Sequence, residues 1–422
     1  MKELTTLIKN DMKPALGVTE PGAIAFGVSK AKSYLKEEVE KVEVLLNSGI
    51  YKNAFTCGIP NSSEFGNKFS AALGLVGGNP EKELESLEDV TEEDNKKAQK
   101  LIDEGKIEVK LNKISSDIFI EVKLKTKNES CKLIIKDTHT NITSIILNDK
   151  EIFSKKIEKF QEKKKDIIIH KYSLKDILDY VNNVDYNEIK FVLEAHKMNL
   201  DLFQEGLSNP RTTFVKEFYR LNGNKIFSND ILKTAQLICN GAIEARVLGL
   251  NKPAMSITGS GAHGIITTLP LYAEYKINNL SEEKLARATM LSYLICTYIK
   301  EYSGRLSAFC GCGIAGGTGV ACGIGYLRGA GEKEITNIIN NMASGITGMI
   351  CDGGNQGCTM KGIVATDSAF RSVELAMNNV FISNIHGING NTPEETMRNM
   401  GKIASPGMEE TEKVIVDIFQ EK

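Results

Sequence analysis

The 422-residue sequence lacks an excess of charge of either sign, a long apolar run and any segment of low complexity. It has 52 basic and 54 acidic side chains, so no basic surplus is available to neutralise nucleic-acid phosphates. No stretch reaches the roughly 18 consecutive apolar residues that a membrane-spanning helix requires. We therefore expect neither a nucleic acid nor a membrane among its partners.

The first residues, MKELTTLIKNDMKP, also lack the pattern of a secretion signal, because charged side chains interrupt the apolar run. Nine cysteines, an odd number, occur in a chain without such a signal. This favours reduced thiols or metal ligands over disulfides. We therefore expect a cytoplasmic protein.

The spacing of apolar residues predicts an α+β fold. Residues 1–95 and 170–422 have mostly helical spacing, with about ten helices in the second segment, and we expect them to form one discontinuous helical domain. Between them, residues 96–169 begin with a charged helix-prone stretch and then alternate apolar and polar residues from Ile107 onward. This pattern predicts a small inserted domain with an antiparallel sheet. The apolar content of the helices is compatible with a homodimer.

Four glycine-rich loops interrupt the helical segments, at residues 57–69, 256–266, 310–319 and 351–358. Glycine allows a tight turn or the close approach of a ligand to the backbone, and each loop precedes an apolar helix-like run. Dense helix packing would also explain glycines. Because all four loops carry polar side chains, the pattern favours a shared active site. None of the four is a P-loop for nucleotide phosphates.

Five of the nine cysteines lie in two glycine-rich stretches, residues 304–325 and 349–361. Cys351 and Cys358 flank the polar sequence DGGNQG, and Cys310 and Cys312 lie in FCGCG, where neighbouring side chains are small. The fifth, Cys322, lies in an apolar segment typical of packed thiols. The same is true of three cysteines outside these stretches: Cys131, Cys239 and Cys296. Converging thiolates could bind zinc, but structural zinc sites usually have paired, closely spaced cysteines. An iron–sulfur cluster accepts more dispersed ligands.

The sequences RLSAFCGCGIAGGTGVACGIGYL and GMICDGGNQGCTMK resemble the cluster-binding motifs of the iron–sulfur L-serine dehydratase α-chain superfamily, and more closely its L-cysteine desulfidase branch. Other blocks agree in order and spacing, among them GVTEPGAIAFGVSKAK, KDTHTNI and SITGSGAHGIITTLP. The resemblance implies a [4Fe-4S] cluster held by Cys351, Cys358 and a third cysteine. The resemblance favours Cys312 over Cys310, because the ligand in the family's loop lies directly before a glycine-rich turn into the next helix. The implied reaction is oxygen-sensitive α,β-elimination from a small amino acid, giving a 2-oxo acid and ammonia.

Three positions depart from this resemblance. The desulfidase branch has the motif Cys-Thr-Glu-Pro. In this chain Val18 stands in place of that cysteine, and a valine side chain cannot transfer a proton. Where relatives have Asn-Gln, it has Ala262 and His263, so the acid–base function could have moved to the imidazole. The segment CGIPNSS adds Asn61 and two serines to a turn that is glycine-rich in relatives, consistent with a different substrate.

Other polar residues in these blocks are candidates for substrate contact or catalysis. Their simpler interpretations are helix capping, turn hydrogen bonding and surface ion pairing. Glu20, His263 and Lys361 are the acid–base candidates, with Lys361 the α-proton base if desolvation lowers its pKa. The candidates for substrate binding are Thr19, Asn53, Asn61, His139, Asn141, Ser260 and Arg305, the last as a clamp for a carboxylate.

Two functional hypotheses follow. The first is a [4Fe-4S]-dependent lyase acting on a small amino acid or hydroxy acid, with L-serine or L-cysteine as the default substrate. The second is a non-catalytic relative that binds a cluster or a small ligand as a sensor, which Val18 favours. A zinc protein that uses the same thiolates is a third and weaker hypothesis.

Overall fold

The computed structural model describes residues 2–155, 167–304 and 306–422, and it has the predicted α+β fold. The α-helices are α1 (Lys2–Asp11), α2 (Thr19–Lys32), α3 (Ser48–Ala54), α4 (Gly66–Val76), α5 (Glu92–Asp103), α6 (Leu174–Asn183), α7 (Tyr186–Ile189), α8 (Leu193–Ser208), α9 (Phe214–Leu221), α10 (Ile231–Val247), α11 (Gly261–Ile277), α12 (Glu282–Ser303), α13 (Gly317–Leu327), α14 (Glu332–Ile346), α15 (Gly357–Met377), α16 (Pro393–Ala404) and α17 (Glu409–Gln420). The strands are β1 (Lys13–Leu16), β2 (Lys41–Asn47), β3 (Ile107–Lys113), β4 (Phe119–Lys125), β5 (Ser130–Lys136), β6 (Ile142–Leu147), β7 (Lys150–Ser154) and β8 (Pro253–Ser256).

Six of the strands form one sheet in the order β3-β2-β4-β5-β6-β7. The sheet is mixed and not antiparallel throughout, because β2 runs parallel to β3 and antiparallel to β4. Residues 1–95 were expected to belong to the helical domain, so β2 corrects that expectation for residues 41–47. Its sequence KVEVLLN alternates, with Val42, Val44 and Leu46 fully buried, which is the pattern of a strand with one covered face.

Helix α2 covers the sheet. Its Gly27 lies against Val122 of β4 and Ile135 of β5, where an added methyl group would come within 3.2 and 3.4 Å of their side chains. The close approach explains the glycine, and it makes the sheet continuous with the core that contains the N-terminal helix. The boundaries at residues 96 and 169 stay a prediction, but the sheet also uses β2, which precedes them.

The helices from α10 to α15 pack around a common core, and α11, α12 and α13 contact each other. The close packing depends on glycine at α13, where a methyl group at Gly319 would lie 2.4 Å from the Ser292 carbonyl oxygen. The short strands β1 and β8 pair antiparallel and so join the segment before α2 to the segment before α11. Among the described residues, no helix is both long enough and apolar enough to cross a membrane.

Candidate active site

The fold brings the two cysteine-rich loops together. Phe309 and Ile350 form an antiparallel bridge, the Cys310 amide donates to the Met349 carbonyl (3.0 Å), and the Cys351 amide donates to the Ala308 carbonyl (2.6 Å). This backbone pairing places Cys351 beside the loop that contains Cys310. The first loop continues through a single turn of π-helix, Cys312–Gly316, into α13. The second loop leads directly into α15.

Helix α3 supports the second loop. The amide of Gly354 donates to the Asn53 carbonyl (3.1 Å), and Gly353 has a φ of +99°, which favours glycine. A methyl group at Gly353 would lie 2.4 Å from the Lys52 carbonyl oxygen. The two glycines therefore let the loop lie directly on the end of α3, which fixes the path of the chain between Cys351 and Cys358.

A cavity of about 100 Å³ lies where these loops meet the beginnings of α2 and α11. One ordered water needs roughly 10–15 Å³ on this measure, so the space suits a small molecule and not a polymer. Nine of the residues predicted from the sequence line it: Thr19, Glu20, Asn53, His139, Ser260, His263, Cys312, Cys351 and Cys358. Three of the four glycine-rich loops contribute lining residues, those at 256–266, 310–319 and 351–358, whereas no residue of the loop at 57–69 lines the cavity.

The thiols provide the donor set that an iron–sulfur cluster needs. All nine cysteines are free, and Cys312, Cys351 and Cys358 line the cavity whereas Cys310 does not. The Sγ atoms of Cys310 and Cys312 are 3.5 Å apart. The hydrogen bond from Cys310, aided by the charges of Lys361 and Arg246, outweighs burial and lowers the pKa of Cys312 to about 7. This geometry fits Cys312 as the third ligand.

Within the described ranges, no three side chains of His, Cys, Asp and Glu approach closely enough to hold a single metal ion. A cluster separates its thiolates more widely than a single ion does, because iron and sulfide lie between them. The zinc alternative therefore gains no support from the side-chain positions of the described residues.

Glu20, Asn53 and His139 form a polar group on one wall. The Asn53 amide donates to Glu20 Oε1 (2.8 Å), and His139 Nε2 lies 3.8 Å from the same oxygen. Burial raises the pKa of Glu20, but the His139 imidazole, the Asn53 amide and the charge of Arg246 outweigh it and lower the pKa overall. Glu20 is therefore a carboxylate at neutral pH. Buried Thr19 Oγ1 and His139 Nε2 have no hydrogen-bond partner within the protein.

His263 also lines the cavity, from the first turn of α11. Its Nδ1 contacts the Thr258 hydroxyl (2.5 Å), which itself donates to the Ile257 carbonyl (2.7 Å). Because that hydroxyl has one proton, we infer that His263 Nδ1–H donates to it and that Nε2 carries the lone pair. Burial, with the charges of Lys300 and Arg246, lowers the pKa of His263 well below its ordinary value. The imidazole is thus neutral at pH 7, with a free lone pair on Nε2.

Two cationic residues in the cavity wall were not predicted. Arg246 in α10 and Lys300 in α12 are both buried and both line the cavity. Lys300 Nζ donates to the Gly304 carbonyl (2.9 Å), and burial lowers the pKa of Lys300 against the opposing effect of nearby thiolates. Arg246 could have been found from the sequence, because it and Glu244 are charged residues within the otherwise apolar segment GAIEARVLGL. Lys300 near a helix end looks like an ordinary dipole contact.

Two predicted substrate-binding residues lie outside the cavity. The Asn61 amide donates to the carbonyls of Leu87 (3.0 Å) and Glu88 (2.6 Å), so this residue ties a turn to its neighbour. The Asn141 amide donates to the Lys136 carbonyl (2.9 Å) within the β5–β6 turn. Both placements correct the expectation of substrate contact, because the polar groups are used in local backbone contacts.

Lys361 was considered as the α-proton base on the condition that desolvation lowers its pKa, and the pKa is raised instead. Burial does lower the pKa of Lys361, but the thiolates of Cys358 and Cys351 and an ion pair with Asp352 outweigh it and raise the pKa overall. Lys361 does not line the cavity, so it supports the thiolates electrostatically and is a poor base. The predicted carboxylate clamp, Arg305, lies outside the described residues.

Val18 lines the cavity and is buried. A methyl group at Gly354 would lie 2.9 and 3.1 Å from the two methyl groups of Val18, so the isopropyl group fills the space beside the Cys351–Cys358 loop. The side chain thus presents an apolar surface to the cavity.

The family model described as the serine dehydratase alpha chain matches residues 81–417. The chain is also 42% identical to a UPF0597 protein of Clostridium botulinum strain Okra, over 99% of this chain and 98% of that protein. A UPF0597 protein of Caldanaerobacter subterraneus is 37% identical, and one of Clostridioides difficile strain 630 is 35% identical, with 98% or more of each chain covered.

Proposed function

Because the chain belongs to the serine dehydratase α-chain family, we propose that it is a [4Fe-4S]-dependent lyase for a small β-substituted amino acid such as L-serine or L-cysteine. The products are a 2-oxo acid, ammonia and either water or hydrogen sulfide. The observation that carries the proposal is the meeting of Cys312, Cys351 and Cys358 with acid–base side chains around one small cavity.

The three thiolates would hold the cluster, with Lys361 offsetting part of their negative charge. When bound, a cluster with three protein ligands supplies a Lewis-acidic iron that helps a hydroxyl or thiol to leave. The reducing conditions that keep nine free thiols intact favour a cytoplasmic location.

His263 is the proposed base. Its Nε2 lone pair takes the α-proton, and the electrons of the Cα–H bond form the Cα=Cβ double bond as the Cβ–O or Cβ–S bond breaks with its electron pair. The leaving hydroxide or hydrosulfide takes the proton back from His263 Nε2 and departs as water or hydrogen sulfide. A proton then moves from the nitrogen of the enamine product to Cβ by way of water, and a water molecule replaces the nitrogen to give the 2-oxo acid and ammonia. The Glu20 carboxylate, held by Asn53, accepts hydrogen bonds from the substrate ammonium group.

The direct test is pyruvate formation by the full chain after anaerobic reconstitution with iron and sulfide. Pyruvate released from L-serine or L-cysteine supports the lyase, and a wider panel of small β-substituted amino acids and hydroxy acids identifies the substrate. A reconstituted protein that releases no 2-oxo acid from any of them contradicts the proposal.

A second candidate is a non-catalytic relative that binds a cluster or a small ligand as a sensor. Val18 favours it, because an apolar side chain fills the cavity position that the resemblance assigns to a reactive thiol. Cluster retention and saturable ligand binding without turnover would support this candidate.

A further inference from the structure

Arg246 lines the cavity but has no role in the proposed reaction. Its side chain lines the cavity although the residue is only 5% exposed, and its Nε has no hydrogen-bond partner within the protein. Leaving a buried donor unpaired is costly, particularly on a charged group. Its charge acts on Glu20, but Oε1 of that carboxylate already accepts from Asn53.

The N-terminus of α11 lies beside the same guanidinium. The helix has 17 residues, and Ser260 precedes it without making a side-chain cap. The first amides of an α-helix have no partner inside the helix, and the helix dipole makes this end attractive to anions. Ser260, Ala262 and His263 all line the cavity, so this end of the helix faces it.

Gly261 brings the two features together. A methyl group at this position would lie 2.6 Å from Arg246 Nε, so only glycine lets the first turn of α11 approach the guanidinium. The unpaired donor of Arg246 and the amides of α11 therefore converge on one part of the cavity. No glycine-rich loop of the P-loop type is present, and the cavity is small, which favours a small anion over a nucleotide.

We propose that Arg246, the Ser260 hydroxyl and the first turn of α11 form the subsite for the carboxylate of a small monocarboxylic acid. The inference rests on the proposed function in taking this cavity as the substrate site. It assigns to Arg246 the clamp that the sequence suggested for Arg305. The carboxylate lies against α11 and the ammonium or hydroxyl group on Cα points toward Glu20.

Binding of unreactive probes tests the subsite without requiring turnover. L-alanine and L-lactate keep the carboxylate but have no β-leaving group. In L-alaninamide and L-lactamide an uncharged amide replaces that carboxylate. We expect calorimetric titration of the reconstituted full chain to give at least tenfold tighter binding for one acid than for its amide. Such a ratio is the usual effect of a charge-assisted hydrogen bond.

Variants assign the effect to Arg246. Arg246→Met should weaken binding of the preferred acid at least tenfold and leave the amide unchanged, whereas Arg246→Lys should be intermediate because it keeps the charge but loses the fork of donors. Gly261→Ala keeps Arg246 but displaces its side chain, so it should weaken binding of the preferred acid several-fold. Arg220→Met is the matched control, because Arg220 is exposed and pairs with Glu217 on α9.

Three outcomes would overturn the subsite: no saturable binding of either acid by the unaltered chain, equal binding of acid and amide, or unchanged acid binding by folded Arg246→Met. If Arg246→Met does not fold, the acid–amide comparison and Gly261→Ala still decide. Carboxylate-selective binding by a protein that releases no 2-oxo acid would refute the lyase while supporting the subsite, so the two failures are distinguishable.

Discussion

Val18 is the residue where the chain departs most clearly from the resemblance seen in its sequence. Its isopropyl group lies in the cavity wall and contacts the loop between two of the proposed ligands. It cannot give or accept a proton, so proton transfer in this cavity must use other groups. Of the residues that line the cavity, His263 combines a neutral ring with an available nitrogen.

The two neighbouring cysteines allow a matched test of the ligand assignment. Cys312→Ser should lose most of the cluster iron after anaerobic reconstitution, because Cys312 lines the cavity, and Cys310→Ser should retain it. Iron and acid-labile sulfide per chain are the measurement. Cys351→Ser and Cys358→Ser should behave like Cys312→Ser, and Cys322→Ser, a packed thiol, is the control. Full clusters in the Cys312 variant with loss in the Cys310 variant would reverse the assignment.

Gly311 provides a test of the position of His263 that does not replace the imidazole side chain. A methyl group at Gly311 would lie 2.6 Å from His263 Nε2 and 3.1 Å from Lys300 Cδ. Gly311→Ala should therefore displace the ring and lower kcat about 100-fold or more, the usual range for loss of a general base. Cluster content reports whether the adjacent loop survives, and KM should change less than kcat. An unchanged kcat would remove His263 as the base.

Much of the site was predictable at the residue scale because its members lie in short motifs. Cysteines in glycine-rich turns, and polar residues next to them, are visible in one sequence. Arg246 and Lys300 were not found because each lies in the last turn of a long helix, where a basic side chain is ordinary and only the tertiary packing decides whether it meets solvent or a cavity. Asn61 and Asn141 show the reverse error, since a polar residue near a motif can serve a turn.

At the level of elements, the site depends on how closely α3 and the segment before α2 approach the Cys351–Cys358 loop. Gly354→Ala would bring its methyl group within 2.9 Å of Val18 and 3.3 Å of the Asn53 carbonyl oxygen. We expect a loss of roughly 1–3 kcal/mol in the free energy of unfolding, as in other overpacked sites.

Val18→Ala should rescue Gly354→Ala in part, because it removes the closer contact but not the one with the backbone. The two substitutions should therefore couple in a double-mutant cycle followed by chemical denaturation. Gly353→Ala is the control, and Val18→Ala should not rescue it. The added methyl group would lie 2.4 Å from the Lys52 carbonyl oxygen, and Gly353 has a φ of +99°. Additive effects at residues 18 and 354 would contradict this packing.

For the whole molecule, the sequence predicted the fold class and the β-strands after Ile107, but not the way the sheet is completed. Strand β2 lies 60 residues before β3 in sequence, and its alternating pattern is short enough to be hidden among helical neighbours. Only the pairing with β3 and β4 shows that it is an internal strand of the sheet. Pairing between distant segments depends on tertiary contacts that a local pattern does not contain.

The two ends of the chain are joined by a buried ion pair, which gives a prediction for global stability. Lys52 Nζ of α3 lies 2.5 Å from Glu412 Oε2 of α17 and also donates to the Ser307 carbonyl (2.9 Å). Both side chains are almost inaccessible, at 1% and 6% exposure. Removing one partner of such a pair leaves the other charge buried alone, at a cost of about 3–5 kcal/mol.

Lys52→Met and Glu412→Leu should each lower the free energy of unfolding by about that amount, whereas the double variant should recover much of it because neither charge remains buried. Urea denaturation measures all three. Lys197→Met is the control, since it removes an exposed pair with Asp201 and should change stability little. If the double variant is as unstable as the sum of the singles, the pair is not what joins α17 to α3. Phe419 also packs on Phe55 beside this pair, because their rings stack with centroids 4.7 Å apart, so this stacking would then be the next contact to remove.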